Sequence, residues 1–275
     1  MTNAPLPEIA FIGGGNMARS LIGGLVAQGR PPSSIRVAEP VDGLRDALAR
    51  DFGVRVFANA AEAAQGASTC LLAVKPQVMR DVCGELAGIA ASNPLIVSIA
   101  AGITSAQLNR WLGGGRAVVR AMPNTPALIG QGVTGLFATP AVSAAQRDDT
   151  EALLRAAGPT AWIADESLMD AVTAVSGSGP AYVFLLAEAM QAAAERQGLP
   201  ADAAALLVQQ TLAGAAAMLA RSGEPASVLR ARVTSPNGTT QAAIETLQAG
   251  GFESLVDRAI DRATQRGREL SAAND

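Results

Sequence analysis

Histidine is absent from the 275 residues. That absence excludes a Ser-His-Asp triad, a Cys-His pair and most zinc sites, and no metal site is expected. The two cysteines, Cys70 and Cys83, are too few to organise a disulfide framework. Cys70 lies in an apolar run and reads as a small buried hydrophobe. Aromatic residues make up only 3% of the chain, so alanine, leucine and valine must fill the interior. No run of lysine or arginine occurs, and the formal net charge is −3; nucleic acid, which demands a basic face, is not an expected partner. The first residues, Met1 to Glu8, show no basic segment followed by an apolar stretch. No signal peptide is therefore expected, and a cytoplasmic location is the reading. Chemistry on this chain has to rest on a cofactor, on backbone groups, or on hydroxyls, carboxylates and lysine.

About half of the residues are apolar, and the length is comfortable for two domains. In the first half, short apolar runs alternate with amphipathic ones. Strands are expected at Glu8–Ile12, Ile35–Ala38, Arg55–Phe57, Thr69–Ala73, Leu95–Ile99, Ala117–Met122 and Gly132–Phe137, with helices between most of them. Thr104 with Gln107, and Ser143 with Gln146, are spaced as capping boxes at helix starts. Alternating βα units predict a Rossmann-type α/β domain, a doubly wound parallel sheet covered on both faces.

After about Trp162 no further strand is expected. Helices are read at Pro180–Gln197, Pro200–Arg221, Pro225–Val233, Thr239–Gln248 and Phe252–Leu270. The boundary is placed near Asp165, giving a dinucleotide-binding domain over 1–164 and an all-helical domain over 165–275. The stretch Ala203–Ala220 carries no charge and reaches the lower limit of a membrane span. Gln209, Gln210 and Thr211 sit in its middle, which is costly in hydrocarbon; a helix of a soluble protein is expected, with no membrane partner. Because that helix is apolar on nearly every face, it is expected in a subunit interface, burial within one chain being the alternative.

The segment Ile12-Gly13-Gly14-Gly15-Asn16-Met17-Ala18 fits G-x-G-x-x-A between an expected strand and an expected helix, the context the motif requires. Gly13 permits the tight turn, Gly15 lets backbone approach a pyrophosphate, and Ala18 lets helix and strand lie close. Free N–H groups at the helix start would bind phosphates. Glu39 stands where an acid normally binds the ribose hydroxyls of NAD, and it would repel the extra phosphate of NADP. Arg36 and Arg45 are near enough in sequence to compete for that phosphate, and a solvated loop residue is the plainer reading of Glu39. Ala73-Val74-Lys75-Pro76 ends a strand at the edge where ligands lie. Lys75 suits an acid or a phosphate contact there, or a solvent-facing position. Met122-Pro123-Asn124-Thr125-Pro126 ends another strand. Its Asn124 and Thr125 are either hydrogen-bonding groups near a nicotinamide or parts of a rigid turn. Ser176-Gly177-Ser178-Gly179-Pro180-Ala181-Tyr182 and Ser235-Pro236-Asn237-Gly238-Thr239-Thr240 each precede a helix. The second presents N–H groups to an anion, plausibly a carboxylate, or is simply an N-cap.

Taken in order, GGGNM, AVKP, RAMPNTP, SGSGPAY and SPNGTT resemble the pyrroline-5-carboxylate reductase family over about Glu8 to Leu270. The resemblance implies a Rossmann domain followed by a helical dimerisation domain, and NAD(P)H-dependent reduction of 1-pyrroline-5-carboxylate to L-proline by a homodimer or higher homo-oligomer. It implies that Gly13, Gly14, Gly15, Asn16, Met17, Asn59, Ala73, Val74, Lys75 and Pro76 contact the cofactor. It implies that Ser235, Gly238, Thr239 and Thr240 hold the substrate, with the Thr240 hydroxyl approaching the ring nitrogen. The family's usual cofactor is NADPH; Glu39 leaves NADH open here. Asn237 departs from the more usual glycine, but asparagine tolerates the same left-handed backbone. A β-hydroxyacid dehydrogenase shares the two-domain plan but needs a lysine base in the helical half, and no lysine follows Lys75. A nucleotide-sensing protein without turnover is the other rival.

Overall fold

The computed structural model describes residues 7–88 and 93–274. Most of the N-terminal stretch read above for a leader lies outside them. The chain packs as two compact units. One runs to Ser178 and resumes at Arg262, and the other is Gly179–Asp261.

The first unit is built on an eight-stranded sheet. Its strands are β1 (Ile9–Ile12), β2 (Ile35–Ala38), β3 (Arg55–Phe57), β4 (Thr69–Leu72), β5 (Leu95–Ser98), β6 (Val118–Met122), β7 (Thr134–Ala138) and β8 (Thr160–Trp162), in spatial order 3-2-1-4-5-6-7-8. Strands β1 to β6 are parallel, with Phe11 opposite both Val37 and Leu71. Successive side chains alternate between two cores, as a strand's period of two requires. Phe11, Leu21, Val37, Leu71 and Val97 lie in one, and Ala10, Ile12, Cys70, Leu72 and Met79 in the other. Every residue of β1 is buried, the mark of a sheet covered on both faces. The covering helices are α1 (Asn16–Ala27), α2 (Asp42–Phe52), α3 (Ala60–Ala64), α4 (Pro76–Ala87), α5 (Ser105–Trp111) and α6 (Ala144–Leu154). Both expected capping boxes are present, at Thr104 with Gln107 and at Ser143 with Gln146.

The sheet differs from the expected one at its far edge. β7 runs antiparallel to β6, with Arg120 opposite Phe137, and β8 is an additional strand parallel to β7. A parallel return needs a crossover, usually a helix. The segment from Pro123 to Val133 carries only a 3-10 turn, Thr125–Ile129, so the chain doubles back. That turn is held on α1, where Ser20 Oγ donates to the Ala127 carbonyl at 2.6 Å.

Beyond β8, a 3-10 turn at Glu166–Leu168, α7 (Met169–Val172) and a π turn at Thr173–Gly177 also pack with the sheet. Glu166 anchors them. Its carboxylate accepts from the Ser105 N–H at 2.6 Å and from Arg120 at 2.9 Å. The Arg120 side chain is only 7% exposed, so its charge needs that partner.

The second unit holds α8 (Gly179–Arg196), α9 (Ala201–Ser222), α10 (Ala226–Arg232), α11 (Thr239–Ala249) and the start of α12 (Phe252–Ala273). Gly198, at φ +94°, ends the turn after α8. Among the described residues α9 is the one helix long and apolar enough to cross a membrane. Only Ala204 and Val208 of its residues are buried. Phe184, Leu185, Leu206, Leu207, Met218 and Leu219 are all exposed. The alternative that α9 is buried within one chain is therefore set aside.

Candidate active site

Strand order reverses at β1, which lies between β2 and β4. In an open α/β sheet, ligands bind beyond the carboxyl ends of the strands at such a switch point. Gly13 leaves β1 there at φ +102°, and a Cβ on it would lie 2.8 Å from the Ala73 carbonyl oxygen. Only glycine combines that backbone with that approach. The two turns are thus in contact: Gly13 packs on Ala73 and Val74, and the Ala73 N–H donates to the Ile12 carbonyl at 2.8 Å. Gly14 is buried, and a Cβ there would lie 2.5 Å from Leu48 Cδ1. Gly15 is different, because a Cβ there meets nothing within 4 Å.

Gly15 is the N-cap of α1, which has neither a side-chain cap nor an acidic residue in its first turn. Asn16 is exposed and Met17 half-buried. The first turn therefore opens N–H groups and the positive end of the helix dipole onto free space, the arrangement that holds phosphate. The site fits a dinucleotide on its own geometry. Lys75 is the exposed N-cap of α4, and Pro76 occupies the first helical position, where its missing N–H costs nothing. Asn59 follows β3 and caps α3, its Oδ1 accepting from the Glu62 N–H at 2.9 Å. Gly13 to Met17, Ala73 to Pro76 and Asn59 thus all lie at the carboxyl edge of β1, β4 and β3.

Glu39 is not a solvated loop residue. It is buried, and its two carboxylate oxygens accept from the Gly14 N–H at 3.1 Å and the Val41 N–H at 3.0 Å. The bond across to Gly14 ties the end of β2 to the glycine turn. No sequence periodicity reports such a contact, although the expected position of an acid after β2 points to it.

Asn124 takes the rigid-turn role. Its Oδ1 accepts from the Val133 N–H at 3.0 Å, and its Nδ2 donates to the Ser176 carbonyl at 3.1 Å. In an α-helical register a carbonyl at 176 would look to the N–H of residue 180, and proline has none; the chain here takes a π turn over Thr173–Gly177 instead. Asn124 supplies a donor to that carbonyl and pins the π turn to the end of β6. A Cβ on Gly177 would lie 2.6 Å from Met122 Cε, so the turn sits hard against that strand. Of the two roles open to Asn124 in the sequence, the rigid turn is the one these bonds show, while its partner at Ser176, 52 residues away, leaves no local mark.

The second unit carries the other expected group. Ser235, Pro236, Asn237 and Gly238 form a tight turn in which the Gly238 N–H donates to the Ser235 carbonyl at 3.1 Å. Asn237 takes φ +59°, which asparagine accepts more readily than most residues. Gln241 reaches back so that its Oε1 accepts from the Asn237 N–H at 2.8 Å. Gly238 is the N-cap of α11, and no side chain caps it. Thr239 is exposed and Thr240 half-buried in the first turn. Neither hydroxyl has a hydrogen-bond partner among the described residues. Thr240 is therefore not a helix cap, and the first turn of α11 offers N–H groups beside a free hydroxyl.

The cysteines take no part in this chemistry. Cys70 and Cys83 are both buried, and burial pushes each thiol up to about 12.

Two family models match the chain. The model described as pyrroline-5-carboxylate reductase dimerisation covers residues 166–270, and that described as NADP oxidoreductase, coenzyme F420-dependent, covers residues 8–102. The pyrroline-5-carboxylate reductase of Pseudomonas aeruginosa is 53% identical, over 96% of this chain and 97% of that protein. That of Haemophilus influenzae is 44% identical, over 95% and 97%. Among solved structures, a pyrroline-5-carboxylate reductase from Coxiella burnetii aligns with a TM-score of 0.93 at 41% identity, covering 96% of this chain and 98% of that one. The Plasmodium falciparum pyrroline carboxylate reductase, solved with NADP bound, aligns with a TM-score of 0.84 at 25% identity, covering 97% and 98%. With its strand–glycine–helix turn, its helical second half and identity sustained over nearly its whole length, the chain belongs to the pyrroline-5-carboxylate reductase family.

Proposed function

We propose that this protein reduces 1-pyrroline-5-carboxylate to L-proline, the last step of proline biosynthesis, as a cytoplasmic homodimer or higher homo-oligomer. The cofactor is a reduced nicotinamide dinucleotide. Family resemblance favours NADPH, and Glu39 is the feature that admits NADH. When bound, the cofactor supplies a hydride to the imine carbon.

The observation that carries this reading is the first turn of α11. Its N-cap is a glycine without a side-chain cap, and the Thr240 hydroxyl has no hydrogen-bond partner among the described residues. N–H groups of that turn, with the helix dipole, bind the substrate carboxylate. Ser235 and Gly238 hold the turn in shape, and Thr239 adds a hydroxyl. The Thr240 oxygen accepts from the N–H of the protonated imine and so fixes the ring. A protonated imine is already electrophilic. Addition of a hydride to its carbon would place the C=N electron pair on nitrogen and leave a neutral secondary amine. No strong protein acid is needed, which suits a chain without histidine. At the other site Gly13 to Met17 hold the pyrophosphate, and Asn59 and Ala73 to Pro76 border the nucleotide. The protein's contribution is positioning.

The test is steady consumption of NADH or NADPH on addition of pyrroline-5-carboxylate, with proline formed in equal amount. Tight cofactor binding without turnover would instead mark a nucleotide-sensing protein and overturn the reading.

A further inference from the structure

We infer that Glu39 makes this chain select NADH over NADPH. The inference rests on the proposed use of a nicotinamide dinucleotide and goes beyond it to the adenosine end of that molecule.

The first observation is that the carboxylate is held in place by two backbone N–H groups. Glu39 sits just after β2, its own N–H donates to the Phe57 carbonyl at 3.0 Å, and each carboxylate oxygen already accepts one backbone N–H. One of those donors is Gly14, inside the turn where the dinucleotide enters. The side chain is therefore held beside the cofactor path. Each carboxylate oxygen still has acceptor capacity left. Two ribose hydroxyls are donors that suit it; a phosphate on the 2′ oxygen is an acceptor only, carrying like charge.

The second observation is that the neighbouring cations are committed. Arg36 lies in the amino-terminal half of β2. It pairs with Glu8 at 2.9 Å, donates to the Glu62 carbonyl at 2.7 Å, and lies over the Phe57 ring at 4.7 Å. Arg55 pairs with the other Glu8 oxygen at 2.6 Å. Arg45 donates to the backbone carbonyls of Glu39 and Pro40 and pairs with Asp42 at 2.7 Å. A 2′ phosphate would thus meet a fixed carboxylate, while Arg36 and Arg55 are paired with Glu8 and Arg45 already serves the Glu39 and Pro40 carbonyls and Asp42. Like charges held a few ångströms apart beside a buried edge repel strongly.

The test is equilibrium titration of the purified protein with NADH and with NADPH, read by nicotinamide fluorescence without substrate. The wild-type protein should bind NADH at least about ten-fold more tightly, and the ratio should shrink as salt screens the repulsion. Glu39→Gln should bring the two affinities to within about three-fold of each other, chiefly by strengthening NADPH. Equal or tighter NADPH binding by the wild type overturns the inference, as does a ratio that salt leaves unchanged. Neither outcome depends on the variant folding; a folded Glu39→Gln protein with the wild-type ratio overturns it too. If pyrroline-5-carboxylate is still reduced in those cases, the proposed function stands. If neither nucleotide binds, the function falls along with the inference.

Discussion

Gly13 and Gly15, two residues apart, are required for opposite reasons. Gly13 is needed by the fold, since any side chain there strikes the Ala73 backbone. Gly15 faces open space, so its lack of a side chain serves a ligand. Gly15→Val should therefore fold with a melting temperature near wild type and lose affinity for both NADH and NADPH. Unchanged affinity in a folded variant would remove the pyrophosphate from this turn. Thr240 permits an equally clean separation. Its hydroxyl has no hydrogen-bond partner among the described residues, so Thr240→Val should shift stability by no more than about 0.5 kcal/mol. One lost hydrogen bond to a charged group is worth about 1.5–3 kcal/mol, so kcat/KM should fall roughly 10- to 150-fold. Cofactor affinity should hold. A variant with full activity would remove Thr240 from the substrate site. The glycine spacing and the turn before Thr240 were both legible in the sequence, because each is a local demand of backbone geometry. The bond from Glu39 to Gly14 was not, because it joins residues 25 apart in the chain.

At the scale of elements, strands β1 to β6 and the long helices follow the local patterning closely, since burial on both faces and helix caps leave local marks. The antiparallel β7, the three-residue β8 and the π turn do not. The first depends on a connection too short for a crossover, and the second is an edge strand of minimal length. The third is held by Asn124, 52 residues away from Ser176, just ahead of a proline that carries no N–H. A double-mutant cycle tests that last account. Asn124→Ala removes two hydrogen bonds and should cost about 2 kcal/mol in chemical denaturation. Pro180→Ala supplies an N–H at the position that an α-helical carbonyl at 176 would use. In that background the cost of Asn124→Ala should drop by about 1 kcal/mol, a coupling expected of residues that share a partner. Strict additivity would show that Asn124 and Pro180 act independently.

For the molecule as a whole, the helical unit leaves most of its apolar surface to solvent in a single chain; of the residues in α8 to α11, only Ala204 and Val208 are buried. Its sequence showed the all-round apolar character of α9 but not which residues a second copy would cover. Leu207 is 56% exposed. Burying such a leucine is worth about 2 kcal/mol, and both copies would lose it. Leu207→Arg should raise the dimer dissociation constant about a thousand-fold and shift sedimentation toward monomer. An unchanged assembly would place the interface elsewhere. The central claim is hydride transfer to a cyclic imine, and isotope transfer tests it most directly. The protein would be incubated with pyrroline-5-carboxylate and nicotinamide cofactor deuterated on the transferred face of C4, and the product analysed by mass spectrometry. The account predicts L-proline carrying one deuterium at its δ carbon. Proline without deuterium, or no proline beside a bound cofactor, would contradict it.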